Sequence, residues 1–111
     1  AFLPRQDETN LSKRRVVITG MGIVSPVGSA VDEAWTNVCE GNSGTTYIDE
    51  FDTTNYPTRI AGLVKGFEVD NYISRKDQRK NDPFVHYGVA ATMDAIKNAN
   101  LDITDENGHT I

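Results

Sequence analysis

The stretch from Arg15 to Gly28, RVVITGMGIVSPVG, constrains this chain more than any other. Arg15-Val16-Val17-Ile18-Thr19 is a short β-branched run. Gly20-Met21-Gly22 stops it, and Ser25-Pro26-Val27-Gly28 follows as a turn. A β-branched apolar run ended by glycine predicts a buried strand. A strand, a glycine-rich turn and then a helix is how an α/β domain begins.

Residues 1–12 lack periodicity and are set apart as an arm, native or left from expression. After the turn, Ser29 is the expected N-cap of a helix, with Asp32 placed to answer its dipole. Val31, Ala34, Trp35, Val38 and Cys39 recur at helical spacing, which puts Cys39 on an apolar, buried stripe. Gly41 is the expected stop. Asn42 to Arg59 reads as a long ordered loop anchored by Tyr47, Phe51 and Tyr56. Ile60 to Phe67 reads as a short strand weakened by Gly62 and Gly66.

Val69 to Lys80 predicts a short helix or two turns. Arg75, Lys76, Arg79 and Lys80 would then share one side, either as a solvated face or as a docking patch for an acidic partner. Asp82-Pro83 is a helix start, an N-cap followed by proline at the first helical position. The helix runs from Phe84 to about Asn100. Val85, Val89, Met93 and Ile96 form its apolar row, beside a row of small residues, Gly88, Ala91 and Ala95, that lets another element approach closely. His86 reads as a packing or surface histidine. Asn107-Gly108 marks a turn, and Thr110-Ile111 reads as the first residues of a strand.

Several function classes fall away. The net charge of −5 argues against nucleic acid as the partner of the whole chain. No apolar run approaches the ~18–20 residues that span a bilayer. One cysteine in 111 residues leaves no internal disulfide and fits a reducing compartment, so a cytoplasmic location is expected. Gly20-Met21-Gly22 begins like a dinucleotide fingerprint, but Ser25 stands at the third glycine position and Pro26 follows, so no helix opens there for a phosphate. The residues assemble no metal set and no nucleophile, base and orienting group, and no cofactor is expected.

RRVVITGMGIVSPVG, DEAW, the Gly41-Asn42-Ser43-Gly44 loop, FDTTNYPTRIAGLVKGF, YISRKDQRK and DPFVHYGVAA together closely resemble the N-terminal segment of the type II β-ketoacyl-acyl-carrier-protein synthases. These are elongating condensing enzymes of bacterial fatty-acid synthesis. The similarity runs without a gap from about Ser12 to Ile111. It implies an α/β, thiolase-like fold of two αβαβα halves, usually a homodimer, with residues 13–111 forming part of the N-terminal half. It implies an acyltransferase. A cysteine takes the acyl chain from the carrier protein, two histidines assist decarboxylation of malonyl-carrier protein, and the carbanion attacks the thioester. The resemblance places these groups outside the present segment, so no catalytic residue is assigned, and Cys39 does not match the nucleophile. It does carry over the acyl-carrier-protein docking patch, onto Lys76, Arg79 and Lys80. Asn81 and Thr45 depart from the family's apolar residues at their positions.

Three readings follow. The first is part of a condensing enzyme, inactive on its own and with its sheet incomplete. The second is a small α/β interaction module that binds an acidic partner through the basic face. The third is a nucleotide-binding domain using Gly20–Gly28. If the segment folds alone, the unpartnered strand is expected to produce a swapped dimer or edge association.

Overall fold

The computed structural model describes residues 14–110. The expected arm over residues 1–12 and Ile111 of the expected final strand lie outside them. The described elements, in chain order, are helix α1 (Val31–Cys39), strands β1 (Thr45–Tyr47) and β2 (Ile60–Gly62), a 3-10 turn (Val69–Asn71), the single-turn helix α2 (Arg75–Gln78) and the long helix α3 (Pro83–Asn98).

The expected strand Arg15–Thr19 is neither paired nor buried. Val16 is 85% exposed and Ile18 84%, and no described strand lies beside them. A run written for the inside of a sheet needs neighbours to form a ladder. Its continuation does find a neighbour, which is α3. A Cβ on Gly20 would meet the Ala99 backbone nitrogen at 2.6 Å, and one on Gly22 would meet the Ala95 nitrogen at 2.8 Å and run into the Ala91 carbonyl. The Met21 amide donates to Asn98 Oδ1 at 3.1 Å. The small-residue row of the helix is therefore a seam for a passing backbone, as its composition predicts. It runs Ala91–Ala95–Ala99, while Gly88 faces open space.

The Ser25–Gly28 turn closes through two backbone bonds, Ser25 N to Gly28 O (3.0 Å) and Gly28 N to Ser25 O (3.2 Å). Pro26 at its corner rests on the hairpin, where Gly44 and Gly62 leave room for it. Asn37 Nδ2 donates to Val27 O, which ties α1 to the same turn.

The cap of α1 is Ala30, in the extended region and with no side-chain bond, in place of the expected Ser29. Glu33 Oε2 accepts instead from the Ser29 amide at 3.2 Å, while Ser29 Oγ is buried without a partner. Gly41 ends the helix as expected, at φ +73°. Its amide bonds Val38 O and that of Asn42 bonds Asn37 O, the paired closure of a Schellman motif. The apolar stripe of α1 is not covered. Only Ala34 is buried, Trp35 is 67% exposed, and Cys39 is exposed, contrary to its expected burial.

The long loop hides a strand. β1 pairs antiparallel with β2, Thr46 opposite Ala61. Tyr47, Phe51 and Tyr56 are exposed, and Phe51 meets Tyr56 edge to face at 5.7 Å. α3 starts at Pro83 after Asp82, as predicted, although the Asp82 side chain caps nothing. It ends two residues earlier than expected, with Asn100 at φ +51°. Among the described residues the buried hydrophobics are Ala34 and Ala90. Thr110 closes a turn on Asn107 and starts no strand.

Candidate functional site

Helix α2 is a single turn, too short to hold itself together in water. Side chains hold it in place. Ser74 caps it, accepting from the Asp77 amide at 3.3 Å while its hydroxyl donates to Asp77 Oδ2 at 2.7 Å. Gln78 Nε2 donates to Asp70 Oδ1 and to Ile73 O, both at 2.8 Å. Arg75 Nη2 reaches Asp70 Oδ2 at 3.3 Å. The hydrogen bonds from Gln78, then from Arg75, hold the Asp70 carboxyl below the usual carboxylate range.

An aromatic clamp fixes this segment to α3. Phe67 stacks on Tyr72 at 5.8 Å and meets Tyr87 edge-on at 5.2 Å. The Tyr72 hydroxyl donates to Asp94 Oδ2 at 2.9 Å, and that bond, with some desolvation, raises the Tyr72 pKa. Contacts of this kind contribute about 0.5–1.5 kcal/mol per aromatic pair beyond area burial.

The result is a rigidly mounted basic rim. Lys76, Arg79 and Lys80 are all exposed, with Arg75 beside them. Like-charge repulsion between them is relieved by two acids that sequence reasoning left out. Asp70 answers Arg75, and Asp77 lies 3.9 Å from Lys80. Both pairs are solvent-exposed and worth little, so an incoming anion can exchange them. Lys76 and Arg79 have no carboxylate within 4.0 Å among the described residues.

Behind the rim lies an open concavity of about 530 Å³, lined by Val69, Asp70, Arg75, Gln78, Arg79 and His86. His86 comes from the first turns of α3 and is half-buried, with Nε2 shut off from solvent and without a hydrogen-bond partner. Spacing along the chain could not bring His86 to this place, because it is delivered by a different helix.

The glycine turn does not offer a comparable site. Gly20 and Gly22 are packed against α3 and Gly28 against α1, and the next helix opens only at Val31. No group of three metal-ligating side chains gathers among the described residues. Cys39 is a free thiol at the end of α1, and no described histidine is hydrogen-bonded to it. What the described residues bring together here is a group of exposed cations beside an open concavity.

Comparison with known proteins adds the lineage. Residues 13–111 match the family model "Beta-ketoacyl synthase, N-terminal domain". The chain is 50% identical over 101 residues to 3-oxoacyl-[acyl-carrier-protein] synthase 2 of Vibrio cholerae, covering 91% of this chain and 24% of that one. It is 53% identical over 97 residues to the Vibrio harveyi protein of the same name, covering 87% and 23%. It is 40% identical over 98 residues to that of Staphylococcus aureus, covering 88% and 24%. Among solved structures, the ishigamide ketosynthase/chain length factor superposes with a TM-score of 0.74 at 33% identity, over 82% of this chain and 23% of that one. The chain thus spans about a quarter of the length of the relatives it matches, and its architecture is part of the thiolase-like ketosynthase fold.

Proposed function

The chain belongs to the β-ketoacyl synthase family, and from that premise we propose that it is part of a fatty-acid elongating synthase and supplies a landing surface for the acyl carrier protein. The reaction is a decarboxylative Claisen condensation between an enzyme-bound acyl thioester and malonyl-carrier protein. The docking residues are Lys76, Arg79 and Lys80. The full enzyme works as a homodimer in the cytoplasm, and residues 13–111 form part of its N-terminal domain. These 111 residues alone do not condense, because Cys39 lacks the histidine partners that a thiolate nucleophile needs.

The observation that carries this reading is the rim itself: three exposed cations, Lys76 on a short helix and Arg79 and Lys80 at its C-terminal end, on a segment held by Ser74, Gln78 and the aromatic clamp. A carrier protein is an acidic helical bundle. A fixed positive rim raises its on-rate and sets its orientation. The test is binding of a purified acyl carrier protein at increasing salt, with the wild-type chain and the variant Lys76→Glu/Arg79→Glu/Lys80→Glu. Affinity should fall with salt, and the variant should bind at least ~10-fold more weakly at low salt. Equal binding by both chains sinks the reading.

A further inference from the structure

Asn107 is the only asparagine of the chain that a glycine follows. The pair sits in the turn beyond α3, where the Asn107 and Gly108 amides both bond back to Thr104 O. Docking and condensation make no use of it, yet the two residues have a chemistry of their own. Asparagine is among the chemically labile residues. Its side-chain amide carbon is an electrophile, and the backbone nitrogen of the next residue can close a five-membered ring on it. Glycine at that next position closes the ring most readily, because no Cβ crowds the attacking nitrogen and the backbone is free to bend toward it.

The turn holds both reacting groups. Asn107 Oδ1 accepts from the Thr104 amide at 2.8 Å, and Nδ2 donates to Asp102 O at 2.9 Å. The Gly108 amide donates to Thr104 O at 2.8 Å. The nitrogen that must lose its proton is thus giving that proton to a carbonyl, and the amide that must swing to meet it is held at both ends. Gly108 is exposed and Asn107 half-buried, so water reaches the pair once the turn opens. Exposed turns open locally at far lower cost than the whole fold. We propose that Asn107 is a deamidation site guarded by its own turn, so that opening of the turn commits it to conversion into aspartate or isoaspartate.

In the open turn the Gly108 nitrogen loses its proton to solvent base and attacks Asn107 Cγ. The N–Cγ bond forms and the Cγ–Nδ2 bond breaks. Nδ2 takes a proton from water and leaves as ammonia, and a succinimide remains. Water then adds to one of the two ring carbonyl carbons. Addition at Cγ gives aspartate, and addition at the main-chain carbonyl gives isoaspartate. Either product undoes the guard. Aspartate has no Nδ2 hydrogen to donate to Asp102 O, and its carboxylate lies next in sequence to Asp105 and Glu106. Isoaspartate routes the main chain through the former side chain and changes the span of the turn.

The test is incubation of the 111-residue chain at mildly alkaline pH, with and without guanidinium chloride, followed by digestion and mass spectrometry. The peptide holding Asn107 should gain the mass difference between an amide and an acid, roughly ten-fold faster in denaturant than in buffer. Asn42, which serine follows, is the internal control and should lag behind Asn107 in denaturant. Gly108→Ala, compared in denaturant where its folding does not matter, should convert severalfold more slowly. No mass gain in denaturant, or equal gain in Gly108→Ala, overturns the site. Equal rates with and without denaturant overturn the guard. In Asn107→Asp, deuterium exchange at the Thr104 and Gly108 amides should quicken while the amides of α3 keep their rates. Unchanged exchange there overturns the claim that the product opens the turn.

Discussion

Gly20 and Gly22 carry no side chain because α3 stands where one would go. A methyl group on Gly22 would run into the Ala91 carbonyl. Gly22→Ala must push two backbones apart, and overpacking of that kind costs about 1–3 kcal/mol, at times more. Gly88, on the same helix, looks into open space. There the opposite holds, since alanine suits a helix better than glycine by about 0.5–1 kcal/mol. Thermal melts followed by circular dichroism should show Gly22→Ala melting well below the wild-type chain and Gly88→Ala slightly above it. The pair also marks the limit of reading sequence. Small residues on α3 announce that something comes close, but the partner, Gly20-Met21-Gly22, carries the same letters as a phosphate turn. Only its position against Ala91, Ala95 and Ala99 decides between the two uses.

Among the elements, helix ends were legible and helix burial was not. Asp82-Pro83 opens α3 and Gly41 closes α1 because these residues act through their own backbone preferences. The stripe Val31, Ala34, Trp35, Val38 and Cys39 correctly marks a helix. Periodicity states which face is apolar, however, and says nothing about whether another element covers it, and Trp35 and Val38 lie open. β1 escaped notice because three residues inside a polar loop carry too little pattern. The basic rim was legible as four cations. The acids that steady it, Asp70 and Asp77, and the histidine behind it depend on side-chain placement across elements. Misplacing the α1 cap has a practical consequence. Ala30 has the extended backbone of an N-cap and no side-chain bond to offer. Ala30→Ser should stabilise the chain by about 0.5–1 kcal/mol, read as a higher midpoint in urea unfolding.

Across the whole molecule, the described residues show many half-buried faces and few buried side chains. Val16, Val17 and Ile18 stand 85%, 69% and 84% exposed on an unpaired segment. Such a segment invites pairing with another chain. The 111-residue chain should therefore associate as its concentration rises. In sedimentation velocity, Ile18→Lys should shift it toward monomer, since a charge on an open strand blocks edge pairing. Unchanged association in that variant would place the contact on another surface, such as the open stripe of α1.

The Gly20–Gly22 seam also has a topological meaning. The Met21 amide and the Asn98 side chain are 77 positions apart, yet they meet. The chain is thus fastened close to both ends of its described length, and β1 pairing with β2 fastens it again midway. A protease cutting between Asp49 and Thr58 would divide the covalent path and leave two pieces still clasped at both fastenings. The molecule can survive, nicked, as its own complementing pair.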